Sequence, residues 1–388
     1  MNFIVHPSYV DQCQSFELIL SKLTLENMNK LVQPYEYECL SFQRLQTSGR
    51  VNLIFNLKCQ TKTHLPIEFI LKVCNPHCYW TKYRTKNEVY AMKYLFEHTN
   101  IPIPKILDYS DDVNTSVLSC EYILMEKINE PTLESVIDQL SDEILIQIAL
   151  KITDYVQQLR QIKFSHINQI GSFSSREMLL GGTIEDGPVL GPFKNLQEYL
   201  IKHLQWSIRR IQTDEQLNQL ANHLIVSLEQ IIEIAKADPN LLNEQIQYRF
   251  THTDLNSSNI FIDLKTGQIK AIVDWEKCAM TFNDQDIEFF SGWFDDQQKE
   301  QHFQSILHQH LSYSQLFKEK CVTQNIKSYL DVMYSAMYAT FYSSTWFDCE
   351  QTVIKHIKYF FEETENAICQ FKQHFIQSKG NINECVNE

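Results

Sequence analysis

Three oxygen-bearing side chains recur at a spacing that could do chemistry. Asn259 lies five residues after Asp254, and Asp274 lies fifteen after Asn259. The first two belong to the run His252-Thr253-Asp254-Leu255-Asn256-Ser257-Ser258-Asn259, the third to Ile272-Val273-Asp274-Trp275-Glu276. A carboxylate such as Asp254 can orient an attacking hydroxyl and accept its proton. Two oxygen ligands such as Asn259 and Asp274 can hold a divalent cation that neutralises phosphate charge. Phosphoryl transfer needs all three. An Asp with an Asn five residues on is common by chance, so the segment that follows matters more than the pair.

That segment reads as a β-hairpin. Ile260, Phe261 and Ile262 are strand formers, Asp263 to Gly267 hold turn chemistry, and Gln268 to Val273 read as the return strand. A hairpin brings its ends together, so Asn259 and Asp274 are expected to lie close in space.

With the hairpin included, the residues resemble the catalytic core of the aminoglycoside phosphotransferase and choline kinase group of the protein-kinase-like superfamily. That group carries His-x-Asp, Asn five residues on, and a hairpin ending in Asp, an aromatic residue and often Glu. The resemblance implies a catalytic base at Asp254, magnesium ligands at Asn259 and Asp274, and a place for His252 in the catalytic machinery as a buttress of the loop. Taken alone, His252 reads as a packed structural histidine. Asp286, in Asp286-Ile287-Glu288, resembles a family segment whose Asp braces the catalytic loop. Thr253 departs from the usual Gly, and tolerance with some shift of backbone is expected. A eukaryotic protein kinase fits less well: Asp274 is followed by Trp275-Glu276, and no Ala-Pro-Glu comes later.

The elements that must position this site start with a β-rich N-terminal third. Val51 to Cys59 and Ile67 to Val73 are strand-like runs. Lys72 interrupts the apolar run Phe69-Ile70-Leu71-Lys72-Val73, and a lysine there is expensive to bury without an anion. By the resemblance its partners are the phosphates of ATP, with Glu88 as the acid that holds it. Glu88 also ends a Thr85-x-x-Glu88 capping box, which explains it without catalysis. Ser48-Gly49-Arg50-Val51-Asn52 resembles a phosphate-covering turn in which Gly49 and Asn52 would bind nucleotide. The strand Glu121 to Met125 runs into Glu126-Lys127-Ile128, which looks like an interlobe hinge. There the backbone of Glu126 and Ile128 would meet the adenine edge.

The remainder reads as helical. Ser141 starts a helix whose stripe includes Ile144, Leu145, Ile148 and Ile152. Five of the nine glycines fall between residues 171 and 191, in the longest irregular stretch. Leu159-Arg160, Gly171-Ser172 and Gly191-Pro192-Phe193 match in order a pattern of the family's fungal-type members. Two further helices are expected, from about Leu196 to Ile211 and from about Glu215 to Ala237. An aromatic stripe from Leu330 to Tyr342 reads as core.

The chain has 388 residues, 44% of them hydrophobic, enough for one large or two moderate domains. No run approaches the roughly 18–20 apolar residues needed to span a bilayer, and the start lacks a secretory pattern. Eleven scattered cysteines suggest reduced thiols and a cytoplasmic location. A net charge of −14 argues against nucleic acid or an anionic membrane as partner. It permits a cationic acceptor, and a solvated acidic surface accounts for it equally well.

The expected fold is α+β and bilobal, protein-kinase-like, with a β-rich N-lobe over residues 1–125 and a mainly helical C-lobe over residues 126–388. The expected cofactors are ATP and Mg2+, and the expected partner is a small-molecule hydroxyl acceptor. Aminoglycoside, choline-like amine, sugar and amino-acid derivative stay open as acceptors, and nothing fixes the oligomeric state. A nucleotide-binding interaction module without turnover is the alternative, which the intact Asp254, Asn259 and Asp274 set disfavours.

Overall fold

A computed structural model describes residues 20–45, 52–74, 84–164, 169–173, 190–242, 248–282, 293–294, 296–311, 324–341 and 350–384. In chain order the elements are α1 (Leu25–Val32), β1 (Tyr37–Arg44), β2 (Asn52–Thr61), β3 (Pro66–Cys74), α2 (Arg84–His98), β4 (Ile106–Ser110), β5 (Tyr122–Glu126), α3 (Leu133–Val136) and α4 (Asp142–Gln161). There follow α5 (Leu196–Thr213), α6 (Glu215–Ala221), α7 (Ile225–Ala237), β6 (Arg249–Thr251), β7 (Ile260–Ile262), β8 (Ile269–Ile272) and β9 (Ala279–Thr281). The last are α8 (Gln297–Leu311), α9 (Gln324–Phe341) and α10 (Glu350–Glu384). The chain folds into two compact units, one of residues 1–167, 172–181 and 249–319, the other of 168–171, 182–248 and 320–388.

The first unit holds an antiparallel sheet of order β1-β2-β3-β5-β4. Alternation along β3 sends Phe69, Leu71 and Val73 into a cluster with Leu57, Leu124 and the apolar face of α1. The same alternation turns Lys72 to the other face. Helix α2 buries Val89, Met92 and Leu95, and also Arg84, Thr85, Asn87 and Glu88. Its polar first turn is therefore part of the interior and needs partners there.

Two short hairpin-like pairs carry the conspicuous sequence segment. Strand β7 pairs with β8 and β6 with β9. The β7–β8 pair is tied to the segment after β5 and to the one before β4: Ile262 N donates to Pro131 O at 3.0 Å, and Ile272 N to Pro102 O at 2.9 Å. Gly267 turns the hairpin with φ +67°, a conformation that favours glycine.

The second unit is helical. Asn195 caps α5 by accepting from Glu198 N. Leu200 and Leu204 of α5, Leu228 and Ile231 of α7, Met333 and Met337 of α9, and Phe361 and Phe371 of α10 are buried. Of the aromatic stripe, Tyr334 meets the Tyr199 hydroxyl at 3.2 Å and Tyr338 packs on Phe360. The stretch expected as one helix from Glu215 to Ala237 is broken at Asn222–Leu224, where Ala221 leaves helical geometry (φ −136°, ψ 10°). Buried Leu217, Ala221, Leu224, Leu228, Ile231 and Ala235 keep helical spacing through the break, so the apolar pattern carries no sign of it. Among the described residues no helix is long and apolar enough to cross a membrane.

Candidate active site

Lys72 is the centre of a buried ionic cluster. Its Nζ lies 2.7 Å from Glu88 Oε2, 2.7 Å from Asp274 Oδ1 and 3.0 Å from Glu276 Oε2. Glu276 is also paired with Arg84 at 3.1 Å and accepts from Asn52 Nδ2 at 2.8 Å. Lys72 comes from β3, Glu88 and Arg84 from α2, and the acids 274 and 276 from the turn after β8. The capping-box reading of Thr85 and Glu88 does not hold: both sit within the helical span Arg84–His98, and Glu88 faces Lys72.

Three carboxylates facing two cations leave one net negative charge in a buried place. Burial is the larger influence on Glu88 and pushes its carboxyl up to about 7, although Lys72 opposes it. Burial would raise Glu276 too, but Arg84, Lys72 and the Asn52 amide outweigh it and hold that acid at about 2. Burial works against the charge on Lys72, and Asp274, Glu276 and Glu88 more than compensate, so it stays protonated well past the ordinary lysine range.

The loop after β6 is held by its own side chains. His252 is fully buried and packs on the Trp275 ring at 4.3 Å. Its Nδ1 accepts from Asp254 N at 3.2 Å, so Nε2 carries the proton and donates to Val273 O at 3.0 Å. One imidazole thus ties the loop to the residue preceding Asp274. Asn259 Nδ2 donates to Asp254 O at 2.9 Å, and Val273 N donates to Asn259 O at 3.0 Å. These bonds bring the Asp254 loop, Asn259 and Asp274 together, as the hairpin reading anticipates. Asp254 is one-third exposed, with Oδ2 3.7 Å from Lys277 Nζ. Asp274 is 31% exposed and takes the left-handed conformation (φ 66°).

The remaining expected residues are placed as follows. Asn52 begins β2, and its side-chain amide is engaged by Glu276. Glu126 ends β5: its N–H donates to Lys105 O and its Oε1 accepts from Lys105 N, both at 2.9 Å. Lys127 is ion-paired with Glu68, and Ile128 is half-buried beyond it. Gly49 and Asp286 lie outside the described residues, as do Gly181, Gly182 and Gly187.

Asn87, Arg84 and Glu276 are structural participants that residue spacing alone does not pick out. Asn87, fully buried, donates to Glu276 O at 2.9 Å and to Cys278 O at 2.8 Å, and accepts from Phe173 N at 2.7 Å. Arg84 and Asn87 lie four residues and one residue before Glu88 on a helix that also carries Lys86, Lys93 and Glu97, so their polarity alone does not mark them.

A sheet lysine paired to a helical glutamate, beside a His-x-Asp loop and a following hairpin, is the architecture of the protein-kinase-like class. The sequence pattern described as the phosphotransferase enzyme family (APH) matches residues 55–305. The chain belongs to that family, and by this membership it is an enzyme of the small-molecule kinase class. Its fold is similar to that of a thermostable mutant of aminoglycoside phosphotransferase APH(4)-Ia in its apo form: 13% identity, TM-score 0.53, covering 88% of this chain and 98% of that one. It is also similar to APH(2")-IIa, solved as a ternary complex with streptomycin and ATP: 14% identity, TM-score 0.54, covering 87% and 96%. No curated protein sequence matches the chain.

Proposed function

We propose that the protein transfers the γ-phosphoryl group of ATP, with Mg2+, to a hydroxyl of a small molecule. The observation that carries this reading is the direct contact of Lys72 with both Glu88 and Asp274, beside a loop that presents Asp254. A lysine held by a helical acid can bind phosphate oxygens, and Asp254 is exposed enough to meet an acceptor.

The donor set fits a hard divalent cation. The Asn259 amide nitrogen is committed to Asp254 O, which leaves its Oδ1 for a metal, and the Asp274 carboxylate is partly open. Glu88, Asp274 and Glu276 also bring ligand atoms within 4.8 Å of one another. Lys72 already sits among those three, so Asn259 with Asp274 is the better pair. Bound there, Mg2+ would neutralise phosphate charge. Lys72 would hold phosphate oxygens, Glu88 would aim Lys72, and His252 would keep the loop in register. Asp254 would orient the acceptor hydroxyl and take its proton as the oxygen–phosphorus bond forms. The hinge backbone at Glu126 and Ile128 would meet the adenine. Catalysis is then positioning and charge neutralisation.

The aminoglycosides bound in the related structures, hygromycin B and streptomycin, are polyhydroxylated cations, and the acidic balance of this chain suits an acceptor of that kind. The direct test is ADP formation from ATP with Mg2+ against a panel of aminoglycosides, choline and sugars. Phosphorylation of a panel member supports the reading. Failure to bind ATP with Mg2+ at all opposes it.

A further inference from the structure

We propose that Lys277 is a further catalytic residue whose ammonium contacts the transferring phosphoryl group beside Asp254. This inference rests on the phosphotransfer reading above.

The need for a cation there is electrostatic. The γ-phosphoryl oxygens must approach a carboxylate, and two anions repel unless a positive group lies between them. The loop from His252 to Asn259 contains no Lys or Arg. Its one basic side chain, His252, is buried with one ring nitrogen accepting a hydrogen bond from Asp254 N and the other donating to a backbone carbonyl. Lys72 is gathered with Glu88, Asp274 and Glu276 instead. Lys277 Nζ lies 3.7 Å from Asp254 Oδ2, close enough for attraction and too far for a direct hydrogen bond. A phosphoryl oxygen placed between the two groups would meet the ammonium on one side and the carboxylate on the other.

The backbone under Lys277 is fixed more firmly than an ordinary surface lysine requires. Three consecutive carbonyls are pinned by side chains: Glu276 O and Cys278 O by Asn87 Nδ2, and Lys277 O by Thr253 Oγ1 at 2.7 Å. The Lys277 side chain is only 18% exposed. Thr253 has φ +64°, a conformation that disfavours a β-branched residue. The hydroxyl bond to Lys277 O offsets that disadvantage, and glycine could not make it. Thr253 and Lys277 thus form one device. Thr253 is a positioning residue that aims Lys277, and Lys277 is the group that touches phosphate.

In the transfer step the acceptor oxygen forms a bond to γ-phosphorus, and the bond to the β,γ-bridging oxygen breaks with its electron pair leaving on ADP. The hydroxyl proton goes to Asp254. Lys277 stays protonated and donates hydrogen bonds to a γ-phosphoryl oxygen.

The test needs no acceptor. Calorimetric titration with Mg2+ and either β,γ-imido-ATP or ADP compares the wild type with Lys277→Met, Lys277→Gln and Lys277→Arg, each checked for folding by thermal melting. The expected result is a roughly tenfold loss of affinity for the imido analogue in the Met and Gln variants, with ADP affinity unchanged, as for one lost charge-assisted hydrogen bond. Lys277→Arg should keep most of the difference, and Thr253→Gly should lose part of it. An unchanged ratio of the two affinities, or an equal fall in both, overturns the role of Lys277. A wild type that binds neither nucleotide refutes the phosphotransfer reading itself.

Discussion

Replacing Asn87 with Ala removes three hydrogen bonds from a site with no solvent exposure. Two buried carbonyls, Glu276 O and Cys278 O, lose their donor, and Phe173 N loses its acceptor. Each stranded buried group costs about 1–3 kcal/mol. The carboxamide leaves room in which a water could recover part of that, so the expected net loss is about 3–4 kcal/mol. At about 2–4 °C per kcal/mol for a unit of this size, the melting temperature should fall by about 10 °C. Thermal melting followed by far-ultraviolet circular dichroism measures that fall, and urea unfolding the free energy. Asn87→Asp keeps the acceptor for Phe173 N but turns a carboxylate onto two carbonyls, and should be worse. Since the same bonds fix the turn that carries Glu276 and Lys277, nucleotide affinity should fall with stability. A loss below about 1 kcal/mol would show that Asn87 does not anchor this turn.

Other perturbations follow from the same geometry. Asp254→Ala should spare ATP binding and slow transfer by about 10²-fold or more, measured as kcat. Asp274→Ala should abolish metal-dependent turnover, read by titrating Mg2+. Glu88, with a folded pKa of about 7 against an ordinary 4.5, favours the folded state below pH 4.5, a contribution lost as pH rises through 7; Glu88→Gln should flatten stability over that window in urea melts. Glu276, held at about 2, acts the opposite way: its stabilisation is present above pH 4.5 and lost as pH falls toward 2, and Glu276→Gln should remove that acid sensitivity. Gly267→Ala would force a left-handed alanine with its Cβ 2.7 Å from Ile144 Cγ2, at a cost of about 1–2 kcal/mol or more by denaturant melt.

The sequence is most legible where chemistry and local geometry coincide. Asp254, Asn259 and Asp274 are tied by a hairpin a reader can see, and Lys72 stands out because a cation interrupts an apolar strand. Legibility fails where a residue works through distant contacts. Asn87 is 189 residues from the carbonyl of Glu276 that it holds, and nothing local distinguishes it from a solvated helical Asn. The bond of the Asn52 amide to Glu276, 224 residues away, is likewise invisible in the turn that Asn52 closes. The break at Asn222–Leu224 leaves no mark in the sequence because the apolar spacing stays in phase across it. Thr253 reads as a tolerated exception in the sequence, where neither its positive φ nor its bond to Lys277 O is visible.

The central claim is most directly tested by phosphate transfer. Wild type and Asp254→Ala would each be incubated with ATP labelled at the γ-phosphate, Mg2+, and a metabolite extract supplemented with aminoglycosides and choline. A labelled small molecule formed by the wild type and not by the variant is the predicted result. No label in any product, from a wild type shown separately to bind ATP, would contradict the account and favour a nucleotide-binding module without turnover.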